Sequence, residues 1–474
     1  MITAPKTTPV ETASPSRMLW WYAPAVFMAI ISARLANSYD EVYWLAVVRK
    51  LAAGGRLYDT VIDNKGPLWY PIFTVFDWVP LPFWLTRGIV IGAVAMLVIW
   101  LSDRFLPASG LGPTGRHLSS VSIALAMVTL SSFHLTIELF GALIVLIALT
   151  VVRRTTTGAA LILFAGLLID PRVALLIPAV ILVRRQDAGI KARWRGLAPI
   201  GLATVLAGAL YLLVPDIRFA VLEVGGATRF GEPFSFPATS SAALSSLALV
   251  LVIVYLQTRY AGMRLTSSAI VMAVGASLIA MVSLAPFTHY WTYLPLAAVL
   301  LAGSGKDIDT SPSWWIILLA ASLLPVLLFS VDDAWDDRAV EMAFSRPEPY
   351  LGSLVAPDDR IVVFTADPHP IARFPMQAMG RAPNSFYLGM ETSRQDAFLA
   401  EFDRDLQEAD MLWIETLGQD VAELEPKMAM QPAWHILQRH LGEYVCQREM
   451  YPLLILARDP ATCSLLTRSL DPTN

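Results

Sequence analysis

Long apolar runs separated by short polar loops fill residues 18–331, and a mixed, partly alternating pattern replaces them afterwards. The runs lie at 18–36, 83–101, 118–134, 137–152, 157–169, 171–183, 196–214, 241–257, 266–286, 289–303 and 313–331. Crossing the hydrocarbon of a bilayer takes about 20 apolar residues in a helix, so each run predicts a span or a re-entrant segment. The first is long for a cleaved leader, and Ala33-Arg34-Leu35-Ala36 is a poor cleavage site, so it reads as a retained span. The stretch 157–183 holds Asp170-Pro171-Arg172 at its middle. One continuous helix would bury two charges and a helix-breaking proline, whereas two short helices bring them to a surface. A charge-paired kink without function is the other reading.

The short loops orient the chain. Residues 67–82 carry Pro67, Pro71, Pro80 and Pro82 and are expected to lie along the outer surface rather than to span. With the N-terminus inside, the inner loops then hold Arg104 and Arg116; Arg153 and Arg154; Arg184, Arg185, Lys191, Arg193 and Arg195; Arg259 and Arg264; and Lys306. Every inner loop is basic, as retained cytoplasmic loops should be. Treating 67–82 as a span would put those loops outside. The expected fold is therefore mostly α: a polytopic helical membrane domain of about 11 spans over 18–331. Residues 1–17, rich in Thr, Pro and Ser, read as a disordered cytoplasmic N-terminus.

After position 331 strands become legible at 360–364 and 410–415, with an amphipathic helix at 392–408 between them and a strand pair at 443–448 and 453–458. This predicts a small soluble α/β domain over 332–474, placed outside because it follows an outward-going span. Charge supports the division: 332–474 holds 24 of the 39 acids and 12 of the 35 bases, near −12, and the rest is near +8. Both cysteines, Cys446 and Cys463, fall in this domain. In an oxidising compartment they would pair; the alternative is two ordinary thiols. The hydrophobic content of 55% and mean hydropathy of +0.55 exclude an ordinary soluble enzyme. No basic stripe interleaved with aromatics is present, so no nucleic-acid partner is expected.

The chemistry-bearing residues gather on one side of this topology. Asp40, Glu41, Lys65, Glu138, Asp170, Arg172, Glu223, Arg229, His289 and Tyr290 all fall at outer ends of spans or in outer loops. The cost of mid-bilayer charge explains their absence from the middle but not their convergence on one face. The densest stretch is the outer loop 37–82, which runs from Ser38-Tyr39-Asp40-Glu41 through Gly54-Gly55-Arg56-Leu57-Tyr58 to Asp63-Asn64-Lys65-Gly66-Pro67.

That sequence of motifs resembles the first external loop of the GT-C glycosyltransferases, in the branch of protein mannosyltransferases and aminoarabinose transferases. Thr136-Ile137-Glu138 resembles the family's Asn/Thr-x-Glu, and Phe287-Thr288-His289-Tyr290 with Leu294-Pro295 resembles its Phe-x-His-Tyr and proline segment. The resemblance covers residues 35–305 and leaves the tail domain unplaced. It implies an inverting transferase that takes a sugar from a lipid-phosphate-linked donor to a glycan, lipid or protein acceptor. The setting implied is the outer face of the cytoplasmic membrane. Asp40 would be the general base, with Glu41 as neighbour and substitute. Lys65 would hold the lipid phosphate, and Tyr58, Glu138, Arg172, His289 and Tyr290 would bind substrate. No cofactor is implied; a divalent metal is compatible with the chemistry but indicated by no residue pattern.

Each assignment has a plainer rival. Asp40 and Glu41 could cap a helix, Lys65 could snorkel at the membrane surface, and Glu138 could form a structural ion pair. Tyr290, Trp291 and Tyr293 could be an interfacial aromatic belt. Arg172 stands where relatives carry lysine, but Asp170-Pro171 before it departs from the pattern. At the level of the whole protein the rivals are a transporter or channel and a non-catalytic scaffold in envelope assembly.

Overall fold

The computed structural model describes residues 15–106, 113–187, 197–225, 248–282, 288–301, 354–365, 369–381, 388, 392–416, 430–450 and 452–468, apart from positions 36, 60, 249, 253, 256, 260 and 261. Apart from α2 and α3, which lie in the outer loop, the helices follow the apolar runs: α1 (Pro15–Arg34), α2 (Tyr39–Ala52), α3 (Trp69–Trp78), α4 (Phe83–Phe105), α5 (Pro113–Leu130), α6 (Ile137–Val152), α7 (Thr156–Ile169), α8 (Ile177–Asp187), α9 (Ala198–Leu213) and α10 (Ser267–Val282). Their outward positions are themselves apolar, among them Ile30, Ile89, Leu161, Val205, Leu213 and Val274. A helix apolar on both faces is solvated by lipid rather than water.

Between these helices close approach replaces the hydrophobic drive that lipid removes. Gly88 and Gly92 of α4 lie one turn apart against α1. A Cβ at Gly88 would sit 2.8 Å from the Ala29 carbonyl oxygen, and one at Gly92 would sit 2.8 Å from the Ala29 Cβ.

The span count is not traced as expected. Among the described residues, Phe83–Phe105 alone is both long and apolar enough to cross by itself. Ala198–Leu213 and Pro215–Val224 form a second candidate, bent by 89°. Ile137–Val152, Thr156–Ile169 and Ser267–Ala280 are apolar but shorter, and at about 1.5 Å per residue such helices reach only part-way across. Residues 302–353, with the expected span 313–331 and the domain boundary at 331, lie outside the described residues, as do 1–14. The break at Asp170 is as the sequence suggests: α7 ends at Ile169, a 3-10 turn runs from Pro171 to Leu176, and α8 follows. At 10 residues α3 is too short to cross.

Among the described residues the C-terminal domain has four strands, β1 (Ile361–Phe364), β2 (Met411–Glu415), β3 (Cys446–Met450) and β4 (Leu453–Ala457), in the order β1-β2-β4-β3. β1 and β2 are parallel, and the other two pairings are antiparallel. α11 (His369–Arg373), α12 (Gln395–Glu408), α13 (Gln431–His440) and α14 (Pro460–Arg468) also belong to it. Alternation sorts the strands into two faces. Val362, Phe364, Leu412, Ile414, Leu454 and Leu456 share a core with Phe402 and Leu406 of α12 and Trp434 and Leu437 of α13. Ile361, Val363, Met411, Trp413 and Ile455 instead join a core that continues through α11 into the helical domain. Cys446 and Cys463 are bridged, tying α14 to the edge strand β3.

Candidate active site

The site begins at the N-terminus of α2. Ser38 is its N-cap: the Ser38 hydroxyl accepts from the Glu41 amide, and Glu41 Oε2 accepts from the Ser38 amide, both at 3.2 Å. This reciprocal cap corrects the expectation for Glu41. Its side chain is fully buried, and Oε2 also accepts from Arg87 Nη1 at 2.7 Å and lies 3.1 Å from His134 Nδ1. Oε1 accepts from the Leu135 amide at 2.9 Å. Burial opposes the charge, but Arg87, then His134 and the Leu135 amide, overcome it and hold the carboxyl at about 2. Glu41 is thus bonded into the protein on both oxygens and is withdrawn from the pair of catalytic acids. Asp40 takes no part in the cap and remains half-buried beside it.

Arg87 is what the sequence reading missed. It lies inside an apolar run, its side chain is wholly buried, and it donates to the Ser32 and Leu35 carbonyls and to Asn37 as well as to Glu41. A buried guanidinium in such a run must be paired, which was the available signal. It locks the end of α1 to the start of α2.

Lys65 sits in the loop between α2 and α3. Its ammonium donates to Asn64 Oδ1 at 2.9 Å. Burial opposes its charge, and Asp63, Tyr290, Asp40 and Glu138, all within electrostatic reach, more than offset this and keep its pKa above the ordinary value. The backbone around it is tightly held. Leu57 and Val61 form a bridge, Tyr58 takes the left-handed region at φ 68°, and the Tyr58 hydroxyl donates to the Lys65 carbonyl at 2.5 Å. Tyr58 is 5% exposed, and through that bond it holds the Lys65 backbone in place. Gly66 has a physical reason to be glycine. A Cβ there would meet the Leu168 carbonyl oxygen at 2.2 Å and that of Ile169 at 2.6 Å, where the loop rests on the end of α7.

The broken helix supplies the third part. Asp170 caps the 3-10 turn, accepting from the Arg172 amide at 3.0 Å and from Arg172 Nε at 2.8 Å, and it accepts from the Tyr293 hydroxyl at 2.5 Å. Arg172 also pairs with Glu138, which enters from the first turn of α6. Its guanidinium carbon stands 5.0 Å from the centre of the Tyr290 ring, and His289 packs edge-on to that ring at 4.4 Å. Arg172, with its charge matched by two carboxylates, orients Glu138 and Tyr290. The other cation of the group is Lys65, whose ammonium is bonded to the Asn64 side chain.

Asp40, Lys65, Glu138, Arg172, His289 and Tyr290 therefore come together from five separate stretches of chain. Lys65 feels Asp40, Glu138 and Tyr290, and Glu138 feels Arg172 and His289. Among the described residues no group of three or more His, Cys, Asp and Glu side chains is placed to hold a metal ion.

Compared with solved structures, the chain superposes on ArnT from Cupriavidus metallidurans bound to undecaprenyl phosphate. The TM-score is 0.57 at 13% identity, over 95% of this chain and 99% of that one. The chain has the GT-C fold. The apo state of ArnT gives a TM-score of 0.56 at 11% identity, over 94% and 98%. The mycobacterial arabinofuranosyltransferase AftD, in a mutant form, gives 0.51 at 13% identity, over 94% of this chain and 42% of that one. No protein-family model and no curated protein matches the sequence.

Proposed function

We propose that this chain is an inverting glycosyltransferase that moves a sugar from a polyprenyl-phosphate donor to an envelope acceptor, a glycan, lipid or protein, on the outer face of the cytoplasmic membrane. The observation that carries the reading is the gathering of Asp40, Lys65, Glu138, His289 and Tyr290 into one charged cluster on an otherwise apolar body. The fold shared with ArnT, solved with undecaprenyl phosphate, supports it. A transporter would place its ionisable groups along a path near the midplane instead.

In this reading the Lys65 ammonium takes the charge of the lipid phosphate as a point donor, and His289 adds a second polar contact. Asp40 accepts the proton of the acceptor hydroxyl while that oxygen attacks the anomeric carbon. The bond from that carbon to the phosphate oxygen breaks in the same displacement, its electron pair leaving on the lipid phosphate. The anomeric centre inverts, because a double displacement needs a second, nucleophilic carboxylate, and Glu41 is sealed away while Glu138 is held in its ion pair with Arg172. Glu138, oriented by Arg172, and Tyr290 face the sugar. No cofactor enters the scheme. The Cys446–Cys463 bridge supports an extracytoplasmic tail domain, since disulfides persist in oxidising compartments.

The test is direct. Purified protein is incubated with a panel of polyprenyl-phosphate sugars, and release of lipid phosphate is followed. Release that Asp40→Asn abolishes supports the reading; no release with any donor sinks it. A phosphatase reporter after residue 474 should be active and a cytosolic fluorescent reporter dark; the reverse pattern overturns the topology.

A further inference from the structure

We infer that Arg381, in the C-terminal domain, is a positioning residue for the lysine-bearing loop, so that this domain sets how tightly lipid phosphate is held. The inference rests on the proposed role of Lys65.

The evidence is a continuous series of contacts from α12 to Lys65. Glu401 of α12 pairs with Arg381 Nε at 2.8 Å. Arg381 then meets the 57–62 turn twice: its Nη1 donates to the Asp59 carbonyl at 3.2 Å, and its own carbonyl accepts from the Ile62 amide at 3.1 Å. That turn is the one closed by the Leu57–Val61 bridge and the Tyr58 amide donating to the Val61 carbonyl at 2.7 Å. Within it Tyr58 is left-handed, and its hydroxyl grips the Lys65 carbonyl at 2.5 Å. Beside Arg381 the Lys50 ammonium of α2 donates to the Gly380 carbonyl. The same two-residue segment, 380–381, therefore fastens both the helix that carries Asp40 in its first turn and the turn that leads to Lys65.

An interface needed only to attach two domains has no reason to act here. The domain also docks through Arg49, which donates to the Ala372 carbonyl at 2.9 Å, and through Ser393 and Arg394, which meet Glu223 and Asp216. Those contacts lie away from the turn. The Arg381 contacts brace a strained turn that ends three residues before the proposed phosphate ligand. A functional side chain held by such support keeps the geometry its ligand needs. Arginine suits the task because its fixed fork serves a carboxylate and a carbonyl at once.

The experiment measures binding of undecaprenyl phosphate, without sugar, to the full-length protein in detergent. Amide exchange over residues 57–66 and thermal unfolding are followed in parallel. Arg381→Met should weaken binding by about three- to tenfold, the scale of one or two exposed hydrogen bonds. Exchange across 57–66 should accelerate, with the unfolding midpoint of the unliganded protein nearly unchanged. Glu401→Gln should move binding in the same direction by less, and Arg381→Lys should recover part of the loss. Lys65→Ala separates the two ideas. If Lys65→Ala leaves binding intact, or the wild type does not bind, the phosphate reading falls and the positioning role with it. If Lys65→Ala weakens binding while Arg381→Met leaves both binding and exchange unchanged, the positioning role alone is overturned. A lowered unfolding midpoint with unaltered binding also overturns it, since that is what a mere docking contact gives.

Discussion

The adjacent acids Asp40 and Glu41 offer the sharpest trial, because the structure assigns them opposite duties. Glu41→Gln keeps the shape and removes the charge. The wild-type carboxylate accepts from Arg87 at 2.7 Å, from the Leu135 amide at 2.9 Å and from the Ser38 amide at 3.2 Å, with no exposure to solvent. A glutamine must turn its NH2 group toward one of these donors, and it leaves the buried Arg87 without its counter-charge. Breaking a buried pair costs about 3–5 kcal/mol. An independent route agrees: lowering the carboxyl from 4.5 to about 2 is worth roughly 3 kcal/mol at about 1.4 kcal/mol per decade. Glu41→Gln should therefore unfold several degrees lower. Because the folded-state value is depressed, the wild type keeps this stability above pH 4.5 and loses it as pH falls toward about 2. The variant should show no such loss in that window. Asp40→Asn should do the reverse, leaving the unfolding midpoint in place while turnover falls by about 10²–10⁴-fold, the usual contribution of a general base. The assay is thermal unfolding in detergent against pH, beside lipid-phosphate release at saturating donor. Glu41→Gln stable but dead, with Asp40→Asn active, would refute the assignment outright.

Three further outcomes are expected. Lys65→Ala should raise the donor KM by about ten- to a hundredfold, the equivalent of losing roughly 1.5–3 kcal/mol of charged hydrogen bonding, with unfolding little changed; a snorkelling lysine would leave donor affinity alone. Gly66→Ala should lower activity as strongly as Lys65→Ala, because a methyl 2.2 Å from the Leu168 carbonyl oxygen must displace the loop; normal kinetics would show that the loop is not held against α7. Cys463→Ser opens a bridge between residues 17 apart and should destabilise the C-terminal domain by about 3 kcal/mol, read as earlier proteolysis after residue 440; unchanged resistance to protease would remove the bridge from the account.

Much of the molecule is written in local pattern. Apolar runs give helices because only a helix satisfies its own backbone in lipid. Asp170-Pro171 breaks a run because proline lacks the amide and aspartate caps the turn that follows. The short apolar runs in 360–364 and 453–458 and the motif residues of the outer loop needed no neighbours to be noticed. Helix length was legible too, and several helices are too short to cross alone. What the sequence could not decide is which of two adjacent acids faces inward. Asp40 and Glu41 are equivalent in pattern, and they are separated by Arg87, 46 positions from Glu41, and His134, 93 positions from it. Such pairings depend on which helices pack side by side, and no local period records that. The same holds for Tyr58, whose hydroxyl turns back to a carbonyl seven residues away. It holds for Arg381, whose contact with Asp59 crosses 322 positions. Local propensity set the elements, and burial of charge in a dry interior, which tolerates no unpaired group, chose their partners.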